Sequence, residues 1–290
     1  MTNPFRPRRS CLFMPASNPR ALEKAKALPA DMVIFDLEDA VAPDAKEQAR
    51  AAACAAVAAG GYGAREVLVR INALDTPWGE ADIAALATSG ADGILVPKIG
   101  TGDDIARLDQ ALAAARAPLS MGLWVMIETP LAVLNIAAIA AHAAGTRLAG
   151  FVIGTNDMAK DMLARPTPDR AAFQTALSLC VMAARAHGLA AIDGVYNDFS
   201  DPAGLEAECV QGRVLGFEGK SLIHPAQVEI ANRVFAPGAD ELEQARAIVA
   251  AFADPSSDGL GAINVNGKMV ERLHLAQAER LLAFEAAISG

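Results

Sequence analysis

Leu123-Trp124-Val125-Met126-Ile127-Glu128-Thr129-Pro130 joins a short apolar run to a single acid, a threonine and a proline. An apolar run of this length bounded by turn signals reads as a buried strand. Thr129 and Pro130 read as the N-cap and first residue of a helix. The octapeptide is therefore a strand-to-helix joint with a carboxylate at the joint. A second joint follows, where Phe151-Val152-Ile153 leads through Gly154-Thr155-Asn156 to Asp157. No basic residue stands beside either acid in the sequence, so Glu128 and Asp157 would repel unless a cation sat between them. Two acids plus water is a usual way of holding Mg²⁺ with positions left open for a substrate.

The same alternation runs along most of the chain. Strand-like runs occupy residues 10–14, 32–37, 67–71, 93–97, 123–127, 148–153, 190–192 and 219–223. Ala-rich helical stretches lie at 19–27, 44–59, 78–87, 103–116, 131–143, 169–187, 201–211 and 225–235, and Gly60-Gly61 closes the second of them. Eight such units predict an α/β fold, a (β/α)₈ TIM barrel. A doubly wound sheet would call for a glycine-rich turn after its first strand, and Met14-Pro15-Ala16-Ser17-Asn18-Pro19 has none. The polar residues past the runs are Glu38 and Asp39, Arg70 and Asn72, Lys98, Glu128, Asp157, Asp193 and His224. In a barrel they form a ring on the C-terminal face, where active sites are built.

After residue 238 the pattern changes. A helix at 240–253, a turn-rich linker, a hairpin turning at Asn266-Gly267 and a helix over 271–288 form a C-terminal helical extension, 239–290, to a barrel of residues 1–238.

Composition narrows the function. Hydrophobic residues are 53% and aromatics 5%, which makes an aliphatic core, and the net charge of −9 argues against a nucleic-acid surface. The four cysteines, Cys11, Cys54, Cys180 and Cys209, have neither zinc-site spacing nor a disulfide framework. The first residues carry no apolar signal core, and no run is long enough to span a bilayer. A soluble, cytoplasmic protein is expected, with no membrane partner.

The strand ends also carry a resemblance. Arg9-Ser10…Phe13-Met14-Pro15, Phe35-Asp36-Leu37-Glu38-Asp39-Ala40-Val41-Ala42-Pro43, Val69-Arg70-Ile71-Asn72, Val96-Pro97-Lys98, Ile127-Glu128-Thr129-Pro130, Gly154-Thr155-Asn156-Asp157 and Gly219-Lys220-Ser221-Leu222-Ile223-His224-Pro225 occur in order. Together they resemble the citrate lyase β-subunit-like family, with its malyl-CoA and citramalyl-CoA lyases, in the HpcH/HpaI aldolase superfamily. The resemblance implies Mg²⁺, with Mn²⁺ as a substitute, held by Glu128 and Asp157. It implies that Arg70 binds the oxygens of a small keto-acid substrate, and that Asp36, Glu38 and Asp39 lie near the metal through its waters. Arg20 and Lys24 would meet the phosphates of a CoA thioester. The tail would cover the active site of a neighbouring subunit in a homotrimer or hexamer, with Glu271 as its acid. Two departures stand out. Glu271 and Leu273 replace the usual aspartate and proline, and Pro15-Ala16 replaces Pro-Gly.

The implied activity is a carbon–carbon lyase reaction. A 3-hydroxyacyl-CoA of the malyl-, citramalyl- or citryl-CoA type is cleaved to a keto acid or glyoxylate plus acyl-CoA, reversibly, with Arg70, Glu271 and Asp39 as catalytic residues. Two alternatives remain, a malyl-CoA-type thioesterase and a citrate lyase β subunit working in a complex. Structural readings stand beside the functional ones. Glu128 can pair with Lys98 or Arg70, Arg70 with Glu38, Asp36 can hold loops, and His224 can bond the backbone beside Pro225. If the tail only packs, Asp39 or Asp193 would supply the acid/base.

Overall fold

The computed structural model describes residues 6–289. They divide into two compact units, Arg8–Phe235 and a second made of residues 6–7 and 236–289.

The first unit is a closed barrel of eight parallel strands, β1 pairing with both β2 and β8. The strands are β1 (Ser10–Pro15), β2 (Met32–Asp36), β3 (Glu66–Arg70), β4 (Gly93–Val96), β5 (Gly122–Ile127), β6 (Leu148–Ile153), β7 (Ala190–Asp193) and β8 (Gly219–Leu222). Around them run α1 (Pro19–Ala25), α2 (Lys46–Ala59), α3 (Gly79–Leu86), α4 (Gly102–Ala114), α5 (Pro130–Leu134), α6 (Ile136–Ala141), α7 (Thr155–Met162), α8 (Gln174–Ala186), α9 (Pro202–Leu215) and α10 (Val228–Phe235). Both faces of each strand are covered, which is why the strands read as continuous apolar runs. Met32, Ile34, Leu68, Trp124 and Ile192 fill the barrel interior, while Val33, Phe35, Val67 and Val69 join the layer under the helices. Trp124 fits because Gly150 faces it on β6, where a Cβ would collide with the indole ring.

Two local features differ from the sequence reading. The helix expected over 131–143 breaks at Asn135, whose side chain leaves to donate to the Gly100 carbonyl at 2.9 Å. The loop expected around Asp157 is helical, and α7 places Asp157 in its first turn. Only Met158 and Ala159 of that helix are buried, and its eight residues are mostly polar.

The second unit holds α11 (Ala239–Ala253), β9 (Ala262–Val265), β10 (Lys268–Glu271) and α12 (Arg272–Ser289). Its hairpin turns at Asn266 (φ 52°) and Gly267 (φ 80°), the pair of left-handed residues that a type I′ turn needs. Ala245, Ile248, Val265, Val270 and Ala278 form its own small core. Among the described residues, no helix is long and apolar enough to cross a membrane.

Candidate active site

Arg70 ends β3 opposite Asp36 at the end of β2. Its Nε and Nη2 donate to the two oxygens of Asp36 at 2.7 and 2.6 Å, a bidentate pair. The same carboxylate accepts the backbone amides of Glu38 and Ala40 at 2.9 and 3.1 Å. Asp36 is therefore fully used in holding Arg70 and its own loop, as its structural reading required. The guanidinium also lies 5.0 Å over the Phe13 ring. Its remaining nitrogen, Nη1, faces Glu38 Oε2 at 2.8 Å and Asp39 Oδ2 at 3.4 Å. The Glu38 contact is one of charge without hydrogen-bond alignment, which leaves Oε2 buried and unsatisfied. Burial pushes the Glu38 carboxyl up to about 7; the nearby Asp39 and Glu128 add to the rise and Arg70 opposes it.

Glu128 is 1% exposed at the end of β5. Room for it depends on Gly154, where an added Cβ would come within 2.5 Å of Glu128 Cβ and 2.7 Å of its Oε2. Burial raises the Glu128 pKa, and Lys98 is the main counterweight. Asp157 sits in the first turn of α7, where the helix dipole favours a carboxylate.

Between the two acids lies Lys98. Its ammonium is 2.7 Å from Asp157 Oδ2 and 3.4 Å from Glu128 Oε1, and its backbone N–H donates to the same Glu128 oxygen at 2.8 Å. The pairing of Glu128 with Lys98, kept open by the sequence, is thus present, and it extends to Asp157. Lys98 is remote from both in sequence and is brought alongside by the pairing of β4 with β5. The signal was present in Val96-Pro97-Lys98, which ends the neighbouring strand. The two carboxylates converge on one positive centre through hard oxygen donors, the donor set that suits Mg²⁺ or Mn²⁺. Among the described residues, no cluster of three or more His, Cys, Asp or Glu side chains is arranged to hold a metal. Such an ion would keep water or substrate oxygens as its other ligands.

A cavity of about 360 Å³ opens at this end of the barrel, and Phe13, Asp39, Arg70, Met126, Glu128 and Asp157 are among its walls. With Asp36 also in the wall, five of the residues expected from the sequence thus meet in one place. Ser221, Thr155 and Asn156 also line the cavity without having been given a role from the sequence. Arg20 and Lys24 stand exposed on α1. Glu271 ends β10 in the second unit, where its N–H donates to His274 Nδ1 at 3.0 Å.

Three members of the expected ring serve the scaffold instead. Asn72 donates through its backbone and side-chain nitrogens to Asp82, locking α3 to the barrel. Asp193 is fully buried between Arg170 and Lys220, at 2.7 and 3.2 Å, which removes it as a reserve acid/base. These two cations outweigh its burial and hold its carboxyl below the usual range. His224 accepts the Ala226 N–H through Nδ1 and stacks on Phe199, as its backbone-bonding reading required.

Comparison with known proteins agrees with this fold. The family described as HpcH/HpaI aldolase/citrate lyase matches residues 9–225. A (3S)-malyl-CoA thioesterase of Cereibacter sphaeroides is 50% identical over 289 residues, spanning 100% of this chain and 98% of that protein. The citrate lyase subunit beta of Escherichia coli is 36% identical over 98% of this chain and 95% of its own length. The crystal structure of protein CitE from Mycobacterium tuberculosis, in complex with magnesium, acetoacetate and coenzyme A, aligns at a TM-score of 0.75. It is 30% identical, covering 97% of this chain and 98% of that one.

Proposed function

The chain belongs to the HpcH/HpaI aldolase/citrate lyase family, and on that premise we propose that its barrel mouth acts on the coenzyme A thioester of a short 3-hydroxy acid carrying a second carboxylate, of the malyl-CoA kind. The observation that carries this reading is the convergence of Arg70, Glu128 and Asp157 on one cavity. Glu128 and Asp157 would hold Mg²⁺, with Mn²⁺ as a substitute, and that ion would supply a Lewis acid to the substrate's oxygens. Arg70, fixed by Asp36 on one edge, would turn Nη1 from its unaligned contact with Glu38 to the free carboxylate of the substrate. Phe13 and Met126 line the cavity against the guanidinium, and apolar walls there would strengthen that contact. Arg20 and Lys24 on exposed α1 are the groups for the CoA phosphates.

The reaction we favour is thioester hydrolysis. Water oxygen bonds to the acyl carbon, the carbon–sulfur bond breaks, and the departing sulfur takes a proton. The full-length 50% identity with a (3S)-malyl-CoA thioesterase supports this choice. The second reading is carbon–carbon lyase, favoured by the 36% identity with a citrate lyase β subunit. There the substrate hydroxyl loses its proton and becomes a carbonyl, the bond from its carbon to the carbon beside the thioester breaks, and the enolate that takes those electrons is protonated. Either course needs a carboxylate to move a proton. Asp39 lines the cavity and its side chain is 69% exposed, which suits that task. Glu271, supplied by a second copy in a homotrimer or hexamer, is the other candidate.

The deciding experiment incubates the purified protein, Mg²⁺ and malyl-CoA or citramalyl-CoA, and measures free thiol and keto acid separately. Thiol without keto acid establishes the hydrolase, and keto acid without thiol establishes the lyase. Neither product from either ester overturns the substrate class.

A further inference from the structure

Lys98 follows β4 through Pro97 with a left-handed backbone, φ 59°. Side chains other than glycine avoid that region, and a lysine held there is held by its surroundings. Here both ends of the residue are tied to the same acids. The N–H binds Glu128 Oε1 at 2.8 Å, and the ammonium bridges Asp157 at 2.7 Å and Glu128 at 3.4 Å. The partners are unequal in their freedom. Glu128 is 1% exposed and confined by Gly154, whereas the Lys98 side chain is 40% exposed. Its long flexible stem lets the ammonium leave while the backbone contact stays.

We propose that Lys98 is a built-in countercharge that occupies the Glu128–Asp157 pair, competes with the divalent cation for it, and swings toward solvent when the cation binds. This rests on the assignment of Glu128 and Asp157 as the cation's ligands. The device would do two things. It keeps two neighbouring acids, one of them buried, from repelling each other before the cation arrives. It also holds the affinity for the cation below what the bare pair would give, so that occupancy follows the cation supply.

The test is direct binding of Mn²⁺ to the full chain, followed by the loss of the free-ion signal in electron paramagnetic resonance. Lys98→Met keeps the length of the side chain and meets the same backbone demand, so it removes little besides charge. It should bind Mn²⁺ roughly 2- to 5-fold more tightly than wild type, the worth of a partly exposed ion pair. Lys98→Arg keeps the competing cation and should stay near the wild-type affinity. A second measurement needs no variant. In the wild type, Mg²⁺ should speed acylation of Lys98 by a small anhydride, read by mass spectrometry of the peptide that carries it.

Unchanged or weaker Mn²⁺ binding by Lys98→Met overturns the inference. If that variant does not fold, unchanged Lys98 labelling with Mg²⁺ overturns it instead. Failure of the underlying assignment looks different, because then Glu128→Gln binds Mn²⁺ as well as wild type, or neither binds.

Discussion

Asp36 grips Arg70 along one edge of the guanidinium, at 2.7 Å from Nε and 2.6 Å from Nη2. A lysine cannot be held in this way, because its ammonium has no planar edge to share between a clamp and a ligand. Arg70→Lys should therefore lose kcat/KM almost as severely as Arg70→Ala, by about 10²-fold or more, the cost of misplacing a group at the chemistry. Asp36→Asn should also lose activity, although Asp36 itself is spent on Arg70 and the loop. Steady-state kinetics check both, and a lysine variant near the wild-type rate would reduce Arg70 to a source of general positive charge.

Glu128 and Asp157 lead to a prediction about metal removal. Exhaustive chelation should abolish turnover and Mg²⁺ or Mn²⁺ should restore it, since both donors are hard oxygens. Glu128→Gln should stay inactive at any Mg²⁺ concentration while its circular dichroism matches wild type. Full activity in the chelated protein would remove the metal from the reaction.

Glu38 gives a pH dependence of stability. Its carboxyl, pushed up to about 7 by burial, holds its proton in the folded state at pH values where the unfolded chain has lost it. The folded state then binds more protons, so stability falls as pH rises from the ordinary carboxylate range to about 7. Glu38→Gln cannot ionise and should flatten that fall. The check is the wild-type-minus-variant difference in Tm across this window without added divalent cation. A difference independent of pH would show that Glu38 ionises normally.

Asp193 has the opposite sign. Lys220 and Arg170 hold its carboxyl below the usual range, so its contribution is present above the unfolded pKa and is lost as pH falls through the folded one. Asp193→Asn leaves both buried cations without their shared acid and should destabilise the barrel by about 3–5 kcal/mol in urea titration. A loss below 1 kcal/mol would mean that Glu208, 2.6 Å from Lys220, compensates the cluster alone.

Much of this architecture was legible because each joint carries local signals. Thr129-Pro130 and Gly60-Gly61 mark helix ends by their own backbone chemistry, and Asn266-Gly267 marks a hairpin in the same way. Strand order in a barrel follows chain order, so Arg70, Glu128 and Asp157 could be placed on one face before any distance was known. What stayed hidden depends on pairs remote in the chain. Lys98, offered by the sequence as a partner for Glu128 alone, also bridges Asp157, and Asp193 meets Arg170 and Lys220 from segments remote in the chain. An acid at a strand end looks the same in sequence whether it faces the cavity, as Glu128 does, or a buried arginine, as Asp193 does. The helix α7 escaped notice because it is short and mostly polar, although it positions Asp157.

The last prediction concerns Glu271, which ends β10 in the second unit. If the acid of one copy completes the barrel mouth of another, two inactive variants can rescue each other. Glu271→Gln keeps an intact barrel mouth, and Glu128→Gln keeps an intact tail. Co-expressed at equal levels, they should assemble sites that take the mouth from one chain and the tail from the next, about a quarter of all sites under random mixing in a closed ring. Each variant alone should fall by roughly 10²-fold or more, the usual contribution of a placed proton-transfer group being about 10²–10⁴-fold. Rescue toward that quarter establishes the exchange between copies. No rescue, with Glu271→Gln inactive, would make the tail serve its own barrel. An active Glu271→Gln would return the proton transfer to Asp39, the exposed acid of the cavity wall, and Asp39→Asn would then be the variant that stops the reaction.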